Sequence, residues 1–528
     1  MSLPHNVVPL LDWKRAAVIV LVLFGAWLRF YALDRYPLGV HWDELSNIYD
    51  GYSIAETGAD RFGVAHPAIV RGFGENDYRP ALFAWLDAAS IKAFGFSVKA
   101  GRIPAAALGT ASLILLYLFA SSLGGRDFGL LALLLGVLSP LHIQYSRVAH
   151  EGAILPGFFV ILILCSWQRA TLRKFSLPSV ALLGLAIGLS ANAYQATKLT
   201  AAMFCVGACI SIIRDRRPRA PALIVLGACA LIGAAPQVLV LLADPAHFFA
   251  RARVLAIRSD GPLGYVAQVA RNYWLNLSPV YLFIPRNYSA LTVARLLPPE
   301  FLFFYSGLIG MALLPRRSPG LEKWTVYFAL VVAILPAAIS IQSPHTLRTS
   351  GMTVLTPLFS AAGIVWLYSL LPDRIRIRRL YYPMAVFAVA GSAAIIVYRY
   401  STSVMFRSLN FQNFLTYLDS KVGRHANDFD AVILENYGSE QNLYVAAFGG
   451  MSPREFQRSP KALYSDGMDH FTRLGKYYFV QPSLMPATVD SLAPKPARIL
   501  FVASEPLPGT RVIDSVRWQN EKAYLMTY

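Results

Sequence analysis

Ala81-Leu-Phe-Ala-Trp-Leu-Asp87-Ala-Ala-Ser-Ile-Lys92-Ala-Phe94 is an apolar run whose reading decides where every later segment is placed. It falls short of the ~20 residues a bilayer-crossing helix needs, and Asp87 and Lys92 interrupt it. Around it the chain holds helix-length apolar runs at 16–33, 103–122, 128–145, 152–168, 178–194, 197–213, 221–243, 300–314, 324–341, 350–371 and 381–398, about eleven spans. If Ala81 to Phe94 does not cross, one side receives Lys14/Arg15, Arg126, Arg169/Arg173/Lys174, Arg214/Arg216/Arg217/Arg219, Arg316/Arg317/Lys323 and Arg374/Arg376/Arg378/Arg379. If it crosses, Lys14 and Arg15 part company with all the other clusters. The positive-inside bias favours the first topology, so the run is read as a helix lying in the outer interface.

Composition agrees with a polytopic α-helical membrane protein. Of 528 residues, 55% are hydrophobic, well above a soluble enzyme. The formal charge of +18 comes from Lys and Arg in short loops between spans, where membrane orientation accounts for them without nucleic acid. Cys165, Cys205, Cys209 and Cys229 all lie inside apolar runs without zinc-like spacing and read as small core residues. Leu10 to Tyr31 has a long apolar run and no small-residue cleavage site, and reads as an uncleaved first helix.

This topology divides the chain into a membrane domain at 1–400 and a C-terminal domain at 401–528. Residues 33–102 form a first extracytoplasmic loop carrying Asp43 and Glu44, and 244–300 form a second large one. Ser146 to Glu151, Tyr194 to Lys198 and Ser343 to Arg348 open on the same outer face. After Tyr400 short apolar runs such as Ala431-Val-Ile-Leu, Lys476-Tyr-Tyr-Phe-Val and Arg498-Ile-Leu-Phe-Val read as strands. Ser401 to Tyr528 is therefore expected to be a small α/β domain, outside by span parity.

Two adjacent carboxylates leaving a membrane segment are costly unless they face water or a cation, which makes Asp43 and Glu44 candidates for chemistry. A helix-capping acidic pair is the plainer alternative. The ordered set Arg29-Phe-Tyr-x-Leu33, Pro37-Leu-Gly-x-His41-x-Asp43-Glu44, Tyr52-Ser-Ile-Ala-Glu56-Thr-Gly58, Tyr78-Arg79-Pro80, Arg102-Ile-Pro104, Ser139-Pro140-x-His142 and Ser146-Arg147 carries a resemblance. It is similar to the GT-C superfamily of lipid-phosphate-sugar glycosyltransferases, in particular the branch of the lipid A aminoarabinose transferase and the protein O-mannosyltransferases. The match covers most of the first 200 residues, and the second half follows only in outline.

The resemblance implies an inverting transfer of one sugar from a polyprenyl-phosphate carrier to an extracytoplasmic glycolipid, polysaccharide or protein. The departing phosphate is a good leaving group and needs no general acid, whereas the acceptor hydroxyl needs a base. The family role falls on Asp43. Glu44 either supports Asp43, contacts the acceptor, or is a solvated first-turn residue favoured by the helix dipole. Arg79 stands where related enzymes carry a donor-phosphate ligand, which a guanidinium suits; a snorkelling interfacial arginine is the alternative. His345 and Arg348, spaced i, i+3, and Tyr194 with Lys198 are further donor-phosphate candidates. Glu151, with His150 and Arg147, is the second acidic group, orienting the acceptor or pairing with Arg147.

Oxygen ligands from Asp43, Glu44 and Glu151 would suit magnesium or manganese. The resemblance nevertheless points to a cation-independent enzyme with no required metal or cofactor, in a bacterial inner membrane with its site on the periplasmic side. Arg251, Arg253, Arg258, Arg271 and Arg286 among Tyr and Trp read as an acceptor-covering surface or a binder of anionic headgroups. An oligosaccharyltransferase using a lipid pyrophosphate is the enzymatic rival, weakened because the chain has no Trp-Trp-Asp. A transporter or flippase would place charges near the bilayer midplane between repeats, and here they sit at span ends. A receptor or scaffold built on the terminal domain is the remaining alternative.

Overall fold

The computed structural model describes residues 13–528 except 38, 216–218, 260, 285–294, 315–322, 373–374, 402–409, 437–439, 466–467, 493–497 and 519–520. Leu38 and the basic residues Arg216, Arg217, Arg286, Arg316, Arg317 and Arg374 lie outside the described residues.

The described chain opens with α1 (Trp13–Phe30), α2 (Trp42–Thr57), a hairpin of β1 (Ile69–Arg71) and β2 (Tyr78–Pro80), and α3 (Leu82–Phe94). The ends of α2 are written in its sequence. His41, in extended conformation, accepts the Asp43 N–H on its ring, and Asp43 and Glu44 occupy the first turn, where the helix dipole favours carboxylates. Gly58 closes the other end in the left-handed conformation at φ 73°, its N–H on the Ile54 carbonyl. Between them almost every residue from Glu44 to Ile54 is buried. A Cβ on Gly51 would stand 2.6 Å from that of Asp87, so α3 seats directly on α2. With 13 residues, α3 reaches about 20 Å, short of a ~30 Å hydrocarbon core.

The membrane part continues with α4 (Val98–Gly124), α5 (Arg126–Leu138), α6 (Pro140–Tyr145), α7 (Ile154–Leu172), α8 (Leu177–Ser190), α9 (Thr197–Arg214) and α10 (Ala220–Ala243). Then come α11 (Pro245–Leu255), α12 (Pro262–Leu277), α13 (Pro279–Phe283), α14 (Glu300–Leu313), α15 (Lys323–Ala338), a 3-10 stretch at Leu347–Val354, α16 (Thr356–Ser369) and α17 (Ile375–Ser401). Among the described residues, α4, α7, α9 and α10 are long and apolar enough to cross a membrane; Leu347–Val354 with α16, bent by 43°, makes a fifth if counted as one span. α8, α14 and α15 are shorter apolar helices. The run at 128–145, expected as one span, is two helices. Pro140 starts the second, where a missing N–H costs nothing, and the Ser139 hydroxyl accepts from the His142 N–H.

The chain ends in α18 (Asn410–Ala426), β3 (Ala431–Glu435), α19 (Gln441–Phe448), α20 (Pro453–Arg458), β4 (Lys461–Ser465), β5 (Asp469–Leu474), β6 (Tyr477–Val480), α21 (Met485–Ser491), β7 (Ile499–Ala503), β8 (Arg511–Trp518) and β9 (Glu521–Thr527). Their sheet has the order β4-β5-β6-β3-β7-β9-β8. Its centre is parallel, β3 pairing β6 and β7, and its edges are antiparallel. One apolar cluster joins Leu45, Ile48 and Tyr49 of α2 to Phe83, Leu155, Phe414, Tyr444, Phe456 and Leu500. The helix bearing the acidic pair is thus part of the core of both halves.

Candidate active site

Asp43 sits on the first turn of α2 with its side chain 28% exposed, ringed by positive groups. His41 Nδ1 lies 3.3 Å from Oδ2, His150 Nε2 3.8 Å from the same oxygen, and Arg79 Nη1 3.8 Å from Oδ1. Burial pushes the carboxyl up, but the neighbouring His41, His150 and Arg79 outweigh it, holding Asp43 well below the usual carboxylate range. His150 turns Nε2 toward Asp43, while its Nδ1 lies 3.0 Å from the Gly152 nitrogen.

Arg79 comes from β2, paired with Val70 of β1. Its guanidinium lies over the Phe73 ring at 5.6 Å, donates to the Ser46 hydroxyl, and stands 3.8 Å from Glu151 Oε2. Burial would lower its basicity, but Glu151, Asp43, Asp77 and Asp50 raise it further above its ordinary value. The Ser46 hydroxyl also accepts from Arg61 at 2.7 Å, and Arg61 is paired with buried Asp50. Asn47 Nδ2 donates to Glu151 Oε2 at 2.7 Å and to the Asp43 and Ala149 carbonyls at 3.2 Å. Ser46 and Asn47 follow Asp43 by one helical turn, so their contacts share its face.

Asp43, Arg79, His150 and Glu151 line a cavity of about 570 Å³, with Tyr194, Lys198, His345 and Arg348 also on its wall. Asp77, Arg251 and Tyr265 join them, and Leu199, Phe248, Phe249, Leu255 and Ile339 give it an apolar side. Four cations, Arg79, Lys198, Arg251 and Arg348, stand against the carboxylates of Asp43, Asp77 and Glu151. Lys198 Nζ lies 4.0 Å from the Phe248 ring centroid. Arg348 is held by the Ser340 hydroxyl at 2.6 Å and by Gln342 Oε1 at 2.8 Å. His345 is pulled down to about 3 by burial and by the charges of Arg348, Arg295, His150 and Arg251. It therefore faces the cavity as a neutral imidazole rather than as a cation. Among the described residues, no group of three or more His, Cys, Asp or Glu side chains is arranged to hold a metal ion.

Two of the residues picked from sequence stand apart from this cavity. Both Glu44 oxygens are taken by Arg102, at 2.7 and 2.9 Å, and Oε1 also accepts the Ala149 N–H at 2.9 Å. Glu44 ties the start of α2 to the turn carrying His150 and Glu151. Arg147 spends its guanidinium on carbonyls, among them Leu28 at 2.7 Å, Tyr31 at 2.6 Å and Tyr36 at 3.0 Å, and Glu151 pairs with Asn47 and Arg79 instead. Ser46, Asn47 and Asp77 are not among the residues picked from sequence, although helical spacing from Asp43 marks Ser46 and Asn47.

Residues 78–239 match the family model described as dolichyl-phosphate-mannose-protein mannosyltransferase. No curated protein matches the chain. Among solved structures, the chain is similar to ArnT from Cupriavidus metallidurans bound to undecaprenyl phosphate, at 12% identity and a TM-score of 0.58, covering 97% of this chain and 98% of that one. The chain shares the fold of that ArnT structure. The same ArnT in the apo state matches at 11% identity and a TM-score of 0.58, covering 98% of each chain. A looser likeness, with a TM-score of 0.47 and 13% identity, is to the Archaeoglobus fulgidus oligosaccharyltransferase tethered with an acceptor peptide, covering 83% of this chain and 63% of that one. That fold accounts for the mostly helical architecture; in this chain the cavity forms where the start of α2 and β2 meet the segments carrying His150–Glu151 and Tyr194–Leu199.

Proposed function

We propose that the protein is an integral-membrane inverting glycosyltransferase that moves one sugar from a polyprenyl-phosphate carrier to a hydroxyl on an extracytoplasmic acceptor. The observation that carries this reading is the Asp43 carboxylate, partly exposed on a cavity that also holds four cations and an apolar wall. In the reaction the acceptor oxygen attacks the anomeric carbon as its proton passes to Asp43. The bond from that carbon to the phosphate oxygen breaks on the opposite face, and the carrier leaves as an anion. Arg79, Lys198 and Arg348 would hold the phosphate and neutralise the charge that develops on it, with Tyr194 and neutral His345 supplying hydrogen bonds. Glu151 and His150 would orient the acceptor and Asp43. Glu44 would position rather than react.

The apolar wall of Leu199, Phe248, Phe249 and Leu255 suits the first units of an isoprenoid tail. No metal is required in this scheme, because guanidinium and ammonium groups do the neutralising. About eleven helices would cross a bacterial inner membrane, with the cavity and the C-terminal domain on the periplasmic side. The test is purified full-length protein in lipid, offered a panel of radiolabelled polyprenyl-phosphate sugars with membrane extract as acceptor. Label should move from a monophosphate donor with chelator present. Absence of transfer from every donor, or accumulation of sugar inside sealed vesicles without transfer, would overturn the reading.

A further inference from the structure

The hairpin that carries Arg79 is small. The β1–β2 hairpin has three residues in each strand, and an isolated two-stranded hairpin is marginal in water. Both this hairpin and α2, which carries Asp43, are gripped from the C-terminal domain. Tyr444 of α19 donates its hydroxyl to the Val40 carbonyl at 2.5 Å, one residue before the His41 cap. Tyr49 of α2 donates back to the Met451 carbonyl at 2.9 Å. Gln457 of α20 donates to the Ser53 and Thr57 hydroxyls at 3.0 Å and to the Asp60 carbonyl at 2.9 Å, fixing the far end of α2. On the hairpin, the Asp469 carboxylate takes Arg71 at 2.7 Å, and its N–H donates to the Phe73 carbonyl at 2.7 Å. Arg71 faces Tyr78, the neighbour of Arg79, across the ladder.

We propose that the C-terminal domain is a positioning platform for the catalytic centre: through Tyr444, Gln457 and Asp469 it holds α2 and the β1–β2 hairpin so that Asp43 and Arg79 keep their relative placement. The domain shares one continuous apolar core with α2, so the two move together. A domain that only recruited acceptor would need a free outer surface, not hydrogen bonds to the residue before a helix cap and to a hairpin under the cavity. Positioning matters because displacing reacting groups by about 1 Å can cost a hundredfold in rate. The kinetic part of this inference rests on the proposed transferase activity; the structural part does not.

The experiment uses the full chain in lipid with Tyr444→Phe, Gln457→Ala and Asp469→Asn. Hydrogen exchange is measured at the amides of 41–47 and 69–80, alongside kcat, acceptor KM and the pH profile. Exchange should quicken at both segments. Transfer should fall about ten- to a hundredfold in kcat, with acceptor KM changed less than about twofold. The acidic limb should move to higher pH, as His41, His150 and Arg79 loosen from Asp43 while Glu151 stays near. Asp469 is buried and its variant risks misfolding, whereas Tyr444→Phe removes one oxygen and keeps the ring. Unchanged exchange in Tyr444→Phe and Gln457→Ala, or a raised acceptor KM with kcat intact, would overturn the platform in favour of recruitment. If the wild type transfers no sugar, the proposed function fails, and hydrogen exchange alone decides the platform.

Discussion

Replacing Glu44 by glutamine separates two jobs that a carboxylate beside a base can do. Both of its oxygens are bound by Arg102, and the two side chains are 2% and 1% exposed. Removing one charge of such a buried pair costs about 3–5 kcal/mol, because the other is left uncompensated. Arg102 keeps the carbonyls of Leu33 at 2.8 Å, Pro37 at 3.2 Å and Gly39 at 2.9 Å, which places the loss near the lower end, about 3 kcal/mol. The amide would also turn a donor toward the guanidinium or toward the Ala149 N–H. Thermal unfolding of the full chain in lipid reads the effect. Transfer by the folded Glu44→Gln fraction should fall without vanishing, because the Ala149 to Glu151 turn shifts while Asp43 remains. An unchanged melting profile with abolished transfer would refute this reasoning and make Glu44 a reacting group.

Arg79→Met removes a cation from Asp43 and from the cavity; it should weaken donor binding by about ten- to a hundredfold. Asp43 is ionised above its depressed value, so losing Arg79, one of the groups that depress it, should move the acidic limb of kcat/KM to higher pH, as a profile carried down to the lowest pH the protein tolerates would show. Asp87→Asn should stabilise the protein. Burial, with Glu44 and Glu151 nearby, pushes the Asp87 carboxyl well above the usual range, and neither oxygen has a hydrogen-bond partner among the described residues. Between the unfolded value near 4 and the raised folded one, only the folded state binds the proton, so stability falls with rising pH by about 1.4 kcal/mol per unit. The gain from Asp87→Asn should therefore grow with pH across melting curves; a pH-independent difference would contradict it.

What the sequence made legible follows from how local each signal is. The start of α2 is visible in His41-Trp-Asp43-Glu44, and its end in Gly58, because caps and dipoles act within one turn. Tyr194, Lys198, His345 and Arg348 are picked from their places at span ends, and the fold brings them to the wall that holds Asp43. The pairing of Glu44 could not be read because its partner, Arg102, is 58 residues away, and nothing in the pair Asp43-Glu44 says which carboxylate turns inward. Arg147 was hidden for the same reason, its ligands being carbonyls more than a hundred residues upstream. The break at Ser139-Pro140 was written locally but overridden by the apolar run around it. Short strands such as β3, β6 and β7 could be read from their composition; their order in the sheet rests on non-local pairing that composition does not encode.

The central claim is that Asp43 is the base and that the cations of the cavity hold the donor without it. It is tested most directly by measuring donor binding and sugar transfer on the same preparation of Asp43→Asn beside the wild type. The account predicts donor affinity within severalfold of the wild type and transfer reduced by about a hundredfold or more, the worth of a positioned general base. Transfer at the wild-type rate in Asp43→Asn would contradict it.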